Sequence, residues 1–471
     1  MSMPVGDVTP EIVLILGTAA TLVFTLFAPR RLQWAGAVLA LVTIAAAIGA
    51  TARLLGDVPA LTFFGTWALD GSALWSKQIV LVAAAACVGL SPEWFRTDAR
   101  HGDYYTILLL ATLGAALMAG AADTMQLVAG VLLSSVTGYV LAAFHRRSAL
   151  SVEAGMKFFL IGGFTNALLL YGVVLLFGLT GSTLYEATQA ELGRGSDPVA
   201  LVAATGLLAV GLAFKLGAVP AHAWMPDVAQ GAPVPSAAFL TVVPKVGALI
   251  AFARIMSILP PDVVGWRPLA AVLAAATMTL GNLAALWQHD LRRLLGWSAV
   301  SQSGYALMAV VAVGRSPLAL PALLFFLAAY ALANLAAFGV VTELRGRTEL
   351  DAYAGLARRR PALAAALIIS FLSLVGIPPL AGFTGKLALF GATIAAGYAW
   401  LAALAVANTV VSLFYYLRVL GPVYFDTAPD PVPVLGRWAS VPTLAAAVGV
   451  VVAGLAAEPA LAAFSRALLL P

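Results

Sequence analysis

Four lysines, Lys157, Lys215, Lys245 and Lys386, stand within or at the edge of long apolar runs, while the other 22 basic residues, all arginine except Lys77, fall in the polar connections. That segregation by residue type points to chemistry. Arginine stays protonated at any accessible pH, whereas a desolvated lysine can release its proton near neutrality and recover it. A relay for protons or similar small cations needs the second behaviour. A charge near mid-bilayer costs about 2.5–3.5 kcal/mol on insertion scales, so such residues line water or face the bundle interior. A lysine at a helix end can instead snorkel to the headgroups, an alternative that suits Lys157 best.

The neighbours of these lysines add to the pattern. Lys215 lies five residues before Pro220 and seven before His222, so the imidazole shares its face if the helix continues. A titratable ring there would pass protons along; a hydrogen-bonding interfacial histidine explains it equally well. Lys386 follows Pro379 by seven residues. Glu153 and Lys157, spaced i, i+4, suit an ion pair, or a helix-end salt bridge with no transport role. The single cysteine, Cys87, excludes an internal disulfide and a cysteine-ligated cluster. No dinucleotide fingerprint and no metal-ligand spacing is present, which argues against an autonomous oxidoreductase.

The elements that must hold these groups are membrane helices. Of 471 residues 62% are hydrophobic and 10% charged, with mean hydropathy +0.98, so the expected solvent is a bilayer. Apolar runs of roughly 20 residues, the length of one crossing, recur along the chain. They predict an all-α integral membrane protein with about 14 spans, near 11–29, 34–52, 76–92, 104–121, 124–144, 155–178, 199–221, 235–257, 268–287, 294–313, 318–341, 361–391, 396–418 and 440–460. The first segment reads as a mature helix, not a cleaved signal. Alternate connections carry fifteen and seven basic residues, a bias that sets the richer side in the cytoplasm and both termini outside the inner (plasma) membrane. The charge of +5 is scattered, with no aromatic-basic patch for nucleic acid. Pro220 near the end of span 7, and Gly376-Ile377-Pro378-Pro379 inside the long span 12, should kink or interrupt their helices. Breaks five spans apart suggest an internal repeat of spans 4–8 against 9–13. The chain then divides into an N-terminal three-helix segment (1–100), two repeats (101–260 and 261–425) and a C-terminal helix (426–471).

The run from Gly211 through Lys215, Pro220, His222, Trp224, Pro226 and Asp227, followed by Gly231-Ala-Pro-Val-Pro235 and Val243-Pro-Lys245, resembles the antiporter-like subunit N of respiratory NADH-quinone oxidoreductase, complex I. Ser151–Lys157, Arg292–Ser298 and Leu372–Lys386 match the same family, in order, across residues 100 to 420. The resemblance implies fourteen helices with two inverted five-helix repeats, in the membrane arm beside other membrane-arm subunits. It implies that the chain binds no NADH, flavin or iron-sulfur cluster, and that it couples quinone reduction elsewhere in the complex to proton transfer. By position, Lys215 and Lys386 become the lysines of the two broken helices, Lys245 the central relay lysine, His222 the relay-side histidine and Glu153 a family carboxylate.

Two departures stand out. The family glutamate of span 5 is Leu132 here, which removes the usual charge partner of Lys215; Gln126, Ser134, Ser135 and Thr137 supply the only polarity nearby. Span 10 has Gln302 where the family often has histidine, and glutamine holds a water chain but takes up no proton at physiological pH. Two other functions fit the same repeat. One is a subunit of a multi-subunit cation/proton antiporter or hydrogenase-like complex; the other is a non-pumping spacer, for which Leu132 speaks and the three retained lysines do not.

Overall fold

The computed structural model describes residues 4–57, 59–98, 101–427 and 435–471, so the domain boundary expected at residue 100 lies outside the described residues. The main helices are α1 (Thr9–Phe27), α2 (Ala35–Leu54), α3 (Gly71–Trp94), α4 (Gly102–Gly120), α5 (Thr124–Ala142), α6 (Ala149–Thr180), α7 (Pro198–Leu216), α8 (Trp224–Gly231), α9 (Val234–Ile258), α10 (Trp266–Leu286), α11 (Leu291–Ala312), α12 (Ala319–Glu343), α13 (Pro361–Val375), α14 (Ala381–Ala395), α15 (Ala399–Phe425) and α16 (Arg437–Leu455). The few acids in the connections start them. Asp70, Asp123, Asp197 and Asp290 each accept a backbone N–H of the first turn of α3, α5, α7 and α11, satisfying donors that have no partner within the helix. A hairpin of β1 (Ala60–Thr62) and β2 (Trp67–Leu69) precedes α3 and was not foreseen.

Among the described residues thirteen helices are long and apolar enough to cross a membrane, and α13 and α14 are shorter apolar helices. The span expected over 361–391 is therefore two half-helices, and the one expected to reach residue 221 stops at Leu216. Backbone chemistry explains both. Gly217 and Gly376 end α7 and α13 in the left-handed region, at φ +64° and +99°, where a side chain is disfavoured. Pro220, Pro378 and Pro379 follow, without an N–H to continue the ladder, and the Val219–Pro220 and Pro378–Pro379 bonds are cis. The two helix ends are thus placed inside the protein. Around them α9, α11 and α12 are almost wholly buried, while α1, α2 and α16 face outward along most of their length.

Three cations counted among the connections are in fact buried: Arg292 lies against the Ala229 and Ala232 carbonyls, and the other two meet acids inside the bundle. Lys77, in the second turn of α3, lies 2.9 Å from Glu11 of α1 and 4.2 Å over the Trp67 ring. Arg254 of α9 lies 2.6 Å from Asp70, both side chains fully buried. Each is matched by an acid, and Glu11 is itself a buried carboxylate within an apolar helix. Lys215, Lys245 and Lys386 are therefore not the whole set of buried cations; what separates Lys77 and Arg254 from them is the acid beside each.

Candidate functional site

At the first break Lys215 sits in the last turn of α7, buried, with its ammonium 5.8 Å from the Phe214 ring. Among the described residues it has neither an ion pair nor a hydrogen bond to Nζ. The break is closed by aromatic packing: Trp224 stacks on Phe158 of α6 at 4.1 Å, and its indole N–H donates to the Phe214 carbonyl at 3.0 Å. His222 does not share the face of Lys215, because the helix ends six residues before it. Its ring lies 5.7 Å from Trp297 of α11, and its Nδ1 is buried without a partner.

Lys245 lies mid-helix in α9, directly after Pro244, and is 1% exposed. Its ammonium donates to the Ala299 carbonyl of α11 at 2.6 Å and to the Tyr330 hydroxyl of α12 at 3.4 Å. Tyr330 in turn donates to the Thr241 carbonyl at 2.8 Å, and Asn334 donates to the Thr241 hydroxyl at 2.9 Å. Lys245 is thus anchored on neutral oxygen atoms. The pull of three helices around one ammonium makes this the most enclosed of the expected relay groups.

At the second break Lys386, from α14, reaches back to the end of α13 and donates to the carbonyls of Leu374 and Val375, both at 2.9 Å. These are last-turn carbonyls, left without intrahelical partners. Its ammonium also sits 4.2 Å over the Tyr305 ring of α11. Gln302 donates to the same Leu374 carbonyl at 3.1 Å, so the glutamine and the lysine meet at one atom. Pro378 and Pro379 hold the turn between the half-helices. None of Lys215, Lys245 and Lys386 pairs with a carboxylate among the described residues.

The remaining expected residues scatter. Glu153 and Lys157 do pair, at 2.7 Å, near the start of α6 with both side chains about half exposed. Lys157 also lies 3.0 Å from Asp227 of α8, which binds Arg293 of α11 on its other oxygen. Asp227 is the shared acid of that cluster, and its place in the motif gave no hint of it. Ser135 accepts from Asn166 at 3.0 Å, Thr137 bonds back to the Leu133 carbonyl at 2.6 Å, and Ser134 packs on Gly114 with its hydroxyl unpaired. None of these three bonds to Lys215 among the described residues. Leu132 is 37% exposed on α5.

A polar group that the sequence did not single out links α10, α11 and α15. Ser301 and Tyr415 both donate to the Asn282 side-chain oxygen, at 2.8 and 3.1 Å, and Asn282 donates to Asn408 at 3.0 Å. Ser303, next to Gln302, is the other omission: its hydroxyl lies 2.6 Å from the Leu216 carbonyl and 3.0 Å from that of Ala299. Serine is common on packed helix faces, so only the three-dimensional position of the first break reveals it.

Comparison with known proteins shows the family. Residues 121–412 match the family model described as NADH:quinone oxidoreductase/Mrp antiporter, TM. The chain is 44% identical over 91% of both chains to "NADH-quinone oxidoreductase subunit N 1" of Streptomyces griseus, and 43% identical over 92% of both to "NADH-quinone oxidoreductase subunit N" of Mycobacterium sp.. A chain of respiratory complex I from Thermus thermophilus with bound aureothin superposes with a TM-score of 0.85 at 31% identity, covering 98% of this chain and 100% of that one. With the family model matched over residues 121–412 and relatives matched over more than nine-tenths of their length, the chain belongs to the NADH:quinone oxidoreductase/Mrp antiporter membrane family, in its subunit N branch.

Proposed function

We propose that this protein is a proton-translocating subunit in the membrane arm of an NADH-quinone oxidoreductase, passing protons along Lys215, Lys245 and Lys386 while NADH and quinone react on other subunits. The observation that carries the proposal is the setting of Lys245: a fully enclosed ammonium held by the Ala299 carbonyl and the Tyr330 hydroxyl, with no carboxylate partner. An ammonium held only by neutral acceptors releases its proton without stranding a buried anion. Snorkelling, the alternative for a lysine in an apolar span, would need the amine at the headgroups, and the burial of all three argues against it. The plasma membrane, with both termini outside, is the location we infer from the arginine bias.

We also infer that the chain is a fourteen-crossing protein, α13 and α14 together making one crossing, with two inverted repeats. A matched helix crossing supports the repeat. A Cβ on Gly114 of α4 would meet the backbone of Ser134 of α5 at 2.7 Å, and one on Gly281 of α10 would meet Ser301 of α11 at 2.5 Å. Each half therefore has an antiparallel pair packed glycine to serine, followed by a broken helix ending in a left-handed glycine.

The test is proton uptake by vesicles holding the assembled complex, with quinone reduction followed in parallel. Lys245→Ala should cut protons moved per quinone reduced by at least about tenfold, the scale of a lost proton-transfer group. An unchanged ratio excludes Lys245 from the route and leaves a scaffold role for the chain.

A further inference from the structure

In the last turn of a helix the carbonyls have no partner of their own and must find one elsewhere. Both broken helices present such an end inside the protein, and both ends are met by α11. Ser303 donates to the carbonyl of Leu216, the final residue of α7, at 2.6 Å. Gln302 donates to the carbonyl of Leu374, the penultimate residue of α13, at 3.1 Å. The two capping side chains are consecutive in sequence. Successive residues on a helix point about 100° apart, so one helix lying between two breaks can serve both from adjacent positions.

Each cap is also tied to a lysine. The Leu374 carbonyl, with two lone pairs, accepts from Gln302 and from Lys386 together. The Ala299 carbonyl, one turn before Ser303 on α11, accepts from Lys245 at 2.6 Å and lies 3.0 Å from the Ser303 hydroxyl. A serine carries one hydroxyl proton, so it donates to Leu216 or to Ala299 but not to both at full strength.

We propose that Gln302 and Ser303 are positioning residues that couple the two broken helices through α11. A bond from a charged donor is roughly twice as strong as one from a neutral donor. Loss of the proton from Lys386 weakens its grip on the Leu374 carbonyl and leaves Gln302 as the main partner of that end. A shift of α11 that follows Gln302 carries Ser303 with it, because both are set on that helix. A shift there changes the choice of Ser303 between Leu216 and Ala299, and with it the seat of Lys245. This inference rests on the proton route proposed above and adds a mechanical link between its two halves. It gives Gln302 a task that needs no titration.

The experiment uses the assembled complex in vesicles and measures protons moved per quinone reduced in Ser303→Ala, Gln302→Met, the double variant, and Ser303→Thr, which keeps the hydroxyl. Ser303→Cys, close in volume but a weak donor, replaces Ser303→Ala if that variant does not assemble. Each single loss of a donor should lower the ratio at least about fivefold, a modest coupling energy. Ser303→Thr should recover most of it. The double variant should be no worse than the worse single, since both remove one link. Single variants at the wild-type ratio, or a double variant whose losses multiply as independent sites do, overturn the proposal. Lys245→Ala in the same preparations separates the two claims. If it pumps normally the route itself fails; if it is inactive while the capping variants are normal, only the coupling fails.

Discussion

Lys215, Lys245 and Lys386 share one functional group held in three ways. Among the described residues the first ammonium meets only an aromatic ring, the second a carbonyl and a phenol, the third two helix-end carbonyls and a ring. Substitution should therefore separate stability from transport. Lys386→Met strands the Val375 carbonyl and should lower stability by about 1–3 kcal/mol in thermal unfolding of the purified complex, because a buried acceptor left unmade is expensive. Lys215→Met breaks no hydrogen bond and should unfold at nearly the wild-type temperature, although both variants lose pumping. Equal destabilisation would show that Lys215 has a partner other than those described. The lysines were legible in the sequence because a charge in an apolar run has to be accounted for. Asp227 and Ser303 were not, because the acid acts across to α6 and α11 and the serine answers a carbonyl 87 residues away.

At the scale of elements, proline and glycine announced both interruptions, and only their consequences were misjudged. A kink would have kept His222 in register with Lys215; the left-handed Gly217 ends the helix and sends the imidazole to Trp297. At the second break Gly376 lies at φ +99°, and a Cβ there would come within 3.1 Å of the Lys386 side chain. Gly376→Ala should cost about 1–2 kcal/mol in backbone strain and also displace the amine. Lowered unfolding temperature together with a lowered proton ratio is expected; a stable variant with normal pumping would show that the turn is adaptable. The glycine-to-serine crossings of α4 with α5 and of α10 with α11 were beyond sequence reasoning, since neither residue in such a pair is unusual by itself.

For the whole molecule, the helical membrane class followed from hydropathy alone, and twelve of the expected spans correspond to unbroken helices. What composition could not show was how the outer helices are fastened to the core. Asp70 binds Arg254 and accepts the N–H of Leu470 at 2.9 Å, while Arg254 also binds the Leu470 carbonyl, so α3, α9 and the last residues meet at one buried ion pair. Arg254→Ala leaves Asp70 as an uncompensated buried charge and should destabilise by about 3–5 kcal/mol. Poor retention of the subunit in the purified complex is the expected result, with a normal proton ratio in whatever assembles. A changed ratio in fully assembled complex would place this pair on the route instead.

The central claim is that an enclosed lysine gives up and regains a proton, and Lys245→Arg tests it most directly. Arginine keeps the positive charge and the capacity to donate to Ala299 but does not deprotonate. In vesicles holding complex that retains the subunit, Lys245→Arg should pump as poorly as Lys245→Ala. Pumping at the wild-type ratio with arginine in place would mean that fixed charge suffices and that no proton passes through this residue.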